Sequence, residues 1–200
     1  MERFFYICGI NLKIILMKKI VLALLIGFCG FAQETEFKFS KEGFTDYVVT
    51  EVPGKTQSEL YKKAIDWVSV TYKNPKEVIK AQIENDYIRI EGSKDGLVCI
   101  QTMMNFCYLT RYQIEISLKD GKYKFDLIKL EYYIAPSKYG AGGWYDYQLT
   151  DMKEYFKDNG EPKGRFKKNM PQLTAYFNQL NKELFEFLSS ENIPSKKSDW

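Results

Sequence analysis

The chain has 200 residues, with 29 Lys and Arg against 26 Asp and Glu, four cysteines and no histidine. The missing imidazole excludes serine and cysteine triads that rely on a histidine base, and zinc sites built on histidine. The net charge of +3 invites a nucleic-acid reading, which the distribution of that charge then removes.

Residues 17–33 read MKKIVLALLIGFCGFAQ. Lys18 and Lys19 form a charged start, Ile20 to Phe28 an uncharged apolar run, and Gly30 and Ala32 put small residues before a cut at Gln33. This is the anatomy of a secretory signal over 17–32. The apolar run is shorter than the roughly 20 residues a helix needs to span a bilayer, so no stable transmembrane span is expected after cleavage. Bulky Phe28 before Cys29 argues against lipidation. Residues 1–16 are either a mis-called start ahead of Met17 or an extended charged region. Residues 1–32 hold Arg3, Lys13, Lys18 and Lys19 against Glu2 alone, so the remainder carries 25 cations and 25 anions. That balance gives no nucleic-acid footprint. The remaining 168 residues suit a single domain, placed at 38–190 with a disordered tail at 191–200.

In chain order, 33–43 is polar, and either frayed or a short edge strand. The β-branched run at 44–52 predicts a strand ended by Pro53-Gly54. Thr56 and Glu59 have capping-box spacing, and Leu60, Ala64, Trp67, Val68 and Thr71 form one helical stripe, stopped at Asn74-Pro75. Ile79, Ala81 and Ile83 alternate, as do Ile88 and Ile90. A two-residue turn at Asn85-Asp86 sets Ile83 opposite Ile88 and Ala81 opposite Ile90. The hairpin at 111–127 is clearest: Asp120-Gly121 turns it, with Leu118 facing Tyr123, Ile116 facing Phe125 and Ile114 facing Leu127. After Leu127 the apolar parity flips, which predicts a β-bulge at 127/128 and sets Leu130 opposite Tyr112. Residues 95–110 read as a strand end, a turn near Met103 to Asn105, and a strand start. Residues 136–170 are loop-rich, with a short helix near Asp151 to Lys157. A final helix carries Leu173, Tyr176, Phe177, Leu180, Leu184, Phe187 and Leu188 on one stripe, with Pro171 in its first turn. The order predicts an α+β fold: a curved antiparallel sheet, two helices on one face, and a polar second face.

Three pieces carry a resemblance: Val52-Pro53-Gly54 before the capped helix, Leu60-Tyr61 and Trp67 within it, and the hairpin Lys119-Asp120-Gly121-Lys122-Tyr123. Over Phe44 to Tyr133 the chain resembles an exported bacterial family of unknown function with a TATA-binding-protein-like (TBP-like) fold. The resemblance implies a β-α-β-β-β-β-α layout and export. It implies no reaction, and the fold name is no reason to expect DNA binding.

Candidate chemistry is sparse. Tyr139, Trp144, Tyr145 and Tyr147 gather on a Gly-rich segment without phosphate-loop spacing. They are either a contact surface or rings that fold back to complete the core. Cys99 and Cys107 would lie about 26 Å apart on one straight strand at ~3.3 Å per residue. Across a hairpin centred on Met103 they would be partners. They are either two small buried residues or a disulfide, which export permits. Asp151, Glu154 and Asp158 are spaced for acid–base work, yet Asp151 and Glu154 also have capping spacing. The cluster Lys163, Arg165, Lys167 and Lys168 reads as a solvated loop. No catalytic residue, metal or cofactor is assigned. The expected function is a non-enzymatic binding module of the cell envelope, contacting a protein, peptide or glycan through the polar sheet face or the 139–147 segment. A His-free carboxylate hydrolase in 146–161 and a subunit of a larger envelope assembly are the alternatives.

Overall fold

The computed structural model describes residues 35–191; the expected signal, the 1–16 extension and all of the expected tail except Glu191 lie outside them. Strand β1 spans Tyr47–Glu51, helix α1 Gln57–Thr71 and a one-turn helix α2 Pro75–Val78. Strands β2 (Ile79–Ile83), β3 (Tyr87–Gln101), β4 (Asn105–Lys119), β5 (Lys122–Ile134) and β6 (Gly143–Asp146) follow, and helix α3 (Asn169–Ser189) closes the domain. The sheet is antiparallel in the order β1-β5-β4-β3-β2. β6 pairs with β5 residues Glu131–Ile134, beyond the stretch that β1 occupies. The expected layout thus gains a sixth strand and the short α2.

Helix α1 starts where the sequence demands. The Thr56 side chain accepts from the Glu59 N–H, and the Glu59 carboxylate accepts from the Thr56 N–H at 2.8 Å. Leu60, Ala64, Trp67 and Val68 are buried as the stripe requires; Tyr61 joins them, whereas Thr71 is exposed. On α3, Leu173, Phe177, Leu180, Leu184, Phe187 and Leu188 are buried and Tyr176 packs at the margin. Both helices cover the face of the sheet that presents Ile88, Ile90, Ile114, Ile116, Leu118, Tyr123 and Phe125. The N-terminal segment is not frayed: Phe37 is fully buried and stacks on Phe44 with centroids 5.0 Å apart. The packed core therefore begins before residue 38.

The β4–β5 hairpin has the expected register, Leu118 opposite Tyr123, Ile116 opposite Phe125 and Ile114 opposite Leu127. Gly121 takes φ +72°, the left-handed conformation that glycine adopts at no steric cost. The bulge also falls where parity requires: Gln113 pairs with Lys129 and Ile114 with Leu127, leaving Ile128 unpaired. The β2–β3 register is a correction. Ile83 pairs with Tyr87 and Gln82 with Ile88, because the turn holds three residues and Asn85 enters the left-handed region at φ 61°. A second irregularity between Ile79 and Ala81 then returns Ile79 to Ile90.

Behind the sheet, Tyr112 lies against Gly92. A methyl there would meet the Tyr112 ring at 2.4 Å, so only glycine fits. The Tyr112 hydroxyl bonds those of Tyr72 (3.3 Å) and Tyr176 (2.8 Å), and burial pushes all three phenols well above their ordinary range. This buried polar chain joins α3 and the sheet to Tyr72, the residue that ends α1.

Candidate functional site

The outer face of the sheet is a lattice of ion pairs. Glu91 is reached by Lys80 at 3.4 Å, and Glu131 accepts from Arg111 and Lys129, both at 2.9 Å. Burial works to raise the Glu131 carboxyl, but its two cationic donors outweigh that and hold it below the ordinary range. Arg89 meets Glu115 at 2.8 Å one row further along. The face is polar as expected, and its cations are matched by neighbouring acids.

The four aromatic candidates separate. Residues 143–146 form β6, which sends alternate side chains to opposite faces. Trp144 lies on the outer face beside Tyr133, with the Arg111 guanidinium 4.3 Å from its ring centre. Tyr145 stacks on Tyr132 on the helix side. Tyr147 is buried among core residues, with its hydroxyl donating to Asn169 Oδ1 at 3.3 Å, and burial pushes its phenol up. Tyr147 is therefore core. Tyr139 is 86% exposed on a Ser137–Gly140 turn, with the Lys138 ammonium 4.8 Å from its ring centre.

The Asp151–Lys157 helix shrinks to a 3-10 turn at Lys153–Tyr155. Met152 precedes it with no side-chain cap, so the Asp151–Glu154 capping box does not form. Asp151 turns outward to Lys153, while Asp158 engages Lys41 only through its backbone carbonyl. The three acids do not converge. Among the described residues no group of three His, Cys, Asp or Glu is placed to hold a metal, and no helix is long and apolar enough to cross a membrane.

The segment that read as loop instead builds a cleft of about 390 Å³. Tyr132, Tyr147, Tyr155 and Phe166 contribute its rings, with Tyr155 and Phe166 packed at 4.5 Å. Lys163 and Arg165 stand on its rim, opposed in sign by Asp146 and Glu154. Arg165 lies over Phe166 at 5.2 Å, and neither Lys163 nor Arg165 has an ion-pair partner among the described residues. The four cations of this run are exposed, as a solvated loop requires, and only Phe166 turns inward. Phe166, set inside it, was the available signal, since a ring among four cations rarely stays in water.

The end of the β3–β4 pair forms one margin of the cleft, through Ile100. Asp95, Gly96 and Leu97 interrupt its ladder, and α3 side chains satisfy the freed carbonyls. Asn169 Nδ2 donates to Leu97 O at 2.9 Å, and Gln172 Nε2 to Gly96 O at 2.7 Å. Beyond this, Cys99 pairs with Cys107 in the ladder, and their sulfurs are bonded.

An antiparallel sheet roofed by two long helices on one face defines the class: an α+β domain of TBP-like fold. A crystal structure of a TBP-like protein from Parabacteroides distasonis ATCC 8503 aligns over 73% of this chain and 92% of its own, with TM-score 0.52 and 12% identity. A DUF4468 family protein from Bacteroides ovatus ATCC 8483 aligns over 77% and 90%, with TM-score 0.47 and 15% identity. Residues 47–133 match the family described as "Domain of unknown function (DUF4468) with TBP-like fold". No curated protein matches the chain.

Proposed function

We propose that this chain is a non-enzymatic binding module of the bacterial cell envelope, exported by the 17–32 leader, and that it takes a small acidic ligand with a ring or other apolar body in the cleft. The supporting observation is the combination of Tyr132, Tyr155 and Phe166 with two cations, Lys163 and Arg165, that have no ion-pair partner among the described residues. Rings supply area at low entropic cost and the cations orient a carboxylate. Acidic peptide and glycan fragments have this chemistry. Nucleic acid is not expected as a partner, since the cations of the sheet face are matched by acids.

Isothermal titration with uronic-acid oligosaccharides and short peptides tests the reading. The expected result is saturable binding that falls about tenfold in Arg165→Ala, roughly the 1.4 kcal/mol of one charged contact. Heats indistinguishable from buffer across both ligand classes would reject it. Mass spectrometry of the exported protein tests the address: the expected N-terminus is Gln33. Asp146 and Glu154 on the same rim favour a carboxylate hydrolase as the second reading. Turnover of those oligosaccharides, lost in Glu154→Gln, would select it over binding alone.

A further inference from the structure

The β3–β4 pair outgrows its sheet. β2 pairs with β3 only as far as Ile90, and β5 pairs with β4 only from Thr110. From Val98 to Gln101, opposite Asn105 to Tyr108, four ladder pairs continue with no further strand on either edge. At ~3.3 Å per residue this prong is about 13 Å long. The chain is charge-free from Gly96 to Thr110, in a protein that is 28% charged overall. The prong's exposed surface carries polar Gln101, Thr102 and Asn105 beside four large apolar side chains. Met103 is wholly exposed, Met104 67%, Phe106 45% and Leu109 41%.

An isolated two-stranded ribbon gains nothing from ending in two exposed methionines. The prong's neighbourhood carries four cations, with Asp146 and Glu154 on the cleft beside them. The 3-10 turn Gly164–Phe166 packs against β3, and it carries Arg165 between Lys163 and the exposed Lys167 and Lys168. Arg165 and Ile100 line the same cleft, and Ile100 is only three residues, about 10 Å, from Met103.

The geometry points to the 97–109 prong as a membrane-docking element that lowers its apolar tip into an anionic lipid surface while Lys163, Arg165, Lys167 and Lys168 meet the headgroups. Interfacial segments bury their apolar face ~5–10 Å into the headgroup and acyl boundary, within the reach of this prong. Each cation held near an anionic surface adds to the attraction, so four supplement what a small apolar tip supplies. The Cys99–Cys107 bond keeps the strands paired where no neighbouring strand supports them.

Peptide-resolved hydrogen exchange of the full chain, with and without vesicles, tests this and separates the prong from residues 1–33. With vesicles of equal parts phosphatidylglycerol and phosphatidylcholine, amides of 100–106 are expected to exchange about tenfold more slowly. Met103→Asp with Met104→Asp is expected to abolish that protection, and Lys167→Glu with Lys168→Glu to weaken it. Salt is expected to weaken it as well. Unchanged exchange at 100–106 overturns the proposal, as does equal protection on phosphatidylcholine alone. Protection that rises with protein concentration without vesicles also overturns it, because the occupant is then a second copy.

Discussion

Strands β3 and β4 live in two environments along one length. From Tyr87 to Lys94, opposite Thr110 to Ser117, they sit inside the sheet, and every second residue of β4 is buried under α1 and α3. From Val98 to Gln101 they run on without neighbouring strands, and a disulfide links them instead. The first half is held by burial along its length; in the second, burial ends at Val98 and Cys99, and a covalent link joins the strands there. The difference teaches how this fold divides its labour. The alternating half makes a rigid support, and the charge-free half can present apolar surface without weakening it.

Changes in the packed half should therefore cost most. Phe177 on α3 is fully buried and edge-on to Tyr112, Phe37 and Phe44. Phe177→Ala is expected to remove about 3–5 kcal/mol of unfolding free energy, read by urea denaturation. Gly92→Ala drives a methyl into the Tyr112 ring, and about 1–3 kcal/mol should be lost through overpacking.

The outer face of the same half gives a pH signature. The folded Glu131 carboxyl lies below its ordinary value of 4.5, so its contribution is complete above that value and is lost as pH falls through the folded one. Glu131→Gln should cost about 1 kcal/mol at neutral pH. The gap from the parent should narrow only as pH falls below 4.5 in thermal melts. In the prong, Met103→Asp touches nothing in the core and should shift stability by less than about 0.5 kcal/mol. A loss comparable to that of Phe177→Ala would mean that the two halves are one cooperative unit.

The same division explains what the sequence revealed. Hairpin β4–β5 was legible because Asp120-Gly121 fixes the turn and alternation fixes the register, so even the Ile128 bulge followed from parity. The β2–β3 turn misled because both Asn85-Asp86 and Glu84-Asn85-Asp86 satisfy the local chemistry; Asn85 in the left-handed region selects the longer one. Residues 95–110 showed a strand, turn and strand but no facing, since polar Gln101, Thr102 and Asn105 cluster at the turn and leave no period to read. The cleft was the least legible. Its walls come from Tyr132, the 3-10 turn at 153–155 and the Lys163–Phe166 run, which only tertiary packing brings together. The sequence left Tyr147 open between surface and core because its partner, Asn169, lies 22 residues away on α3.

The central claim is that the prong is held by its disulfide and the rest of the domain by its core. Hydrogen exchange of the oxidised and fully reduced protein, read peptide by peptide, tests it most directly. The account predicts faster exchange on reduction at 97–109, with Tyr87–Lys94, Arg111–Lys119 and both long helices unchanged. Faster exchange spreading through β3–β4 and α3, or none at 97–109, would contradict it.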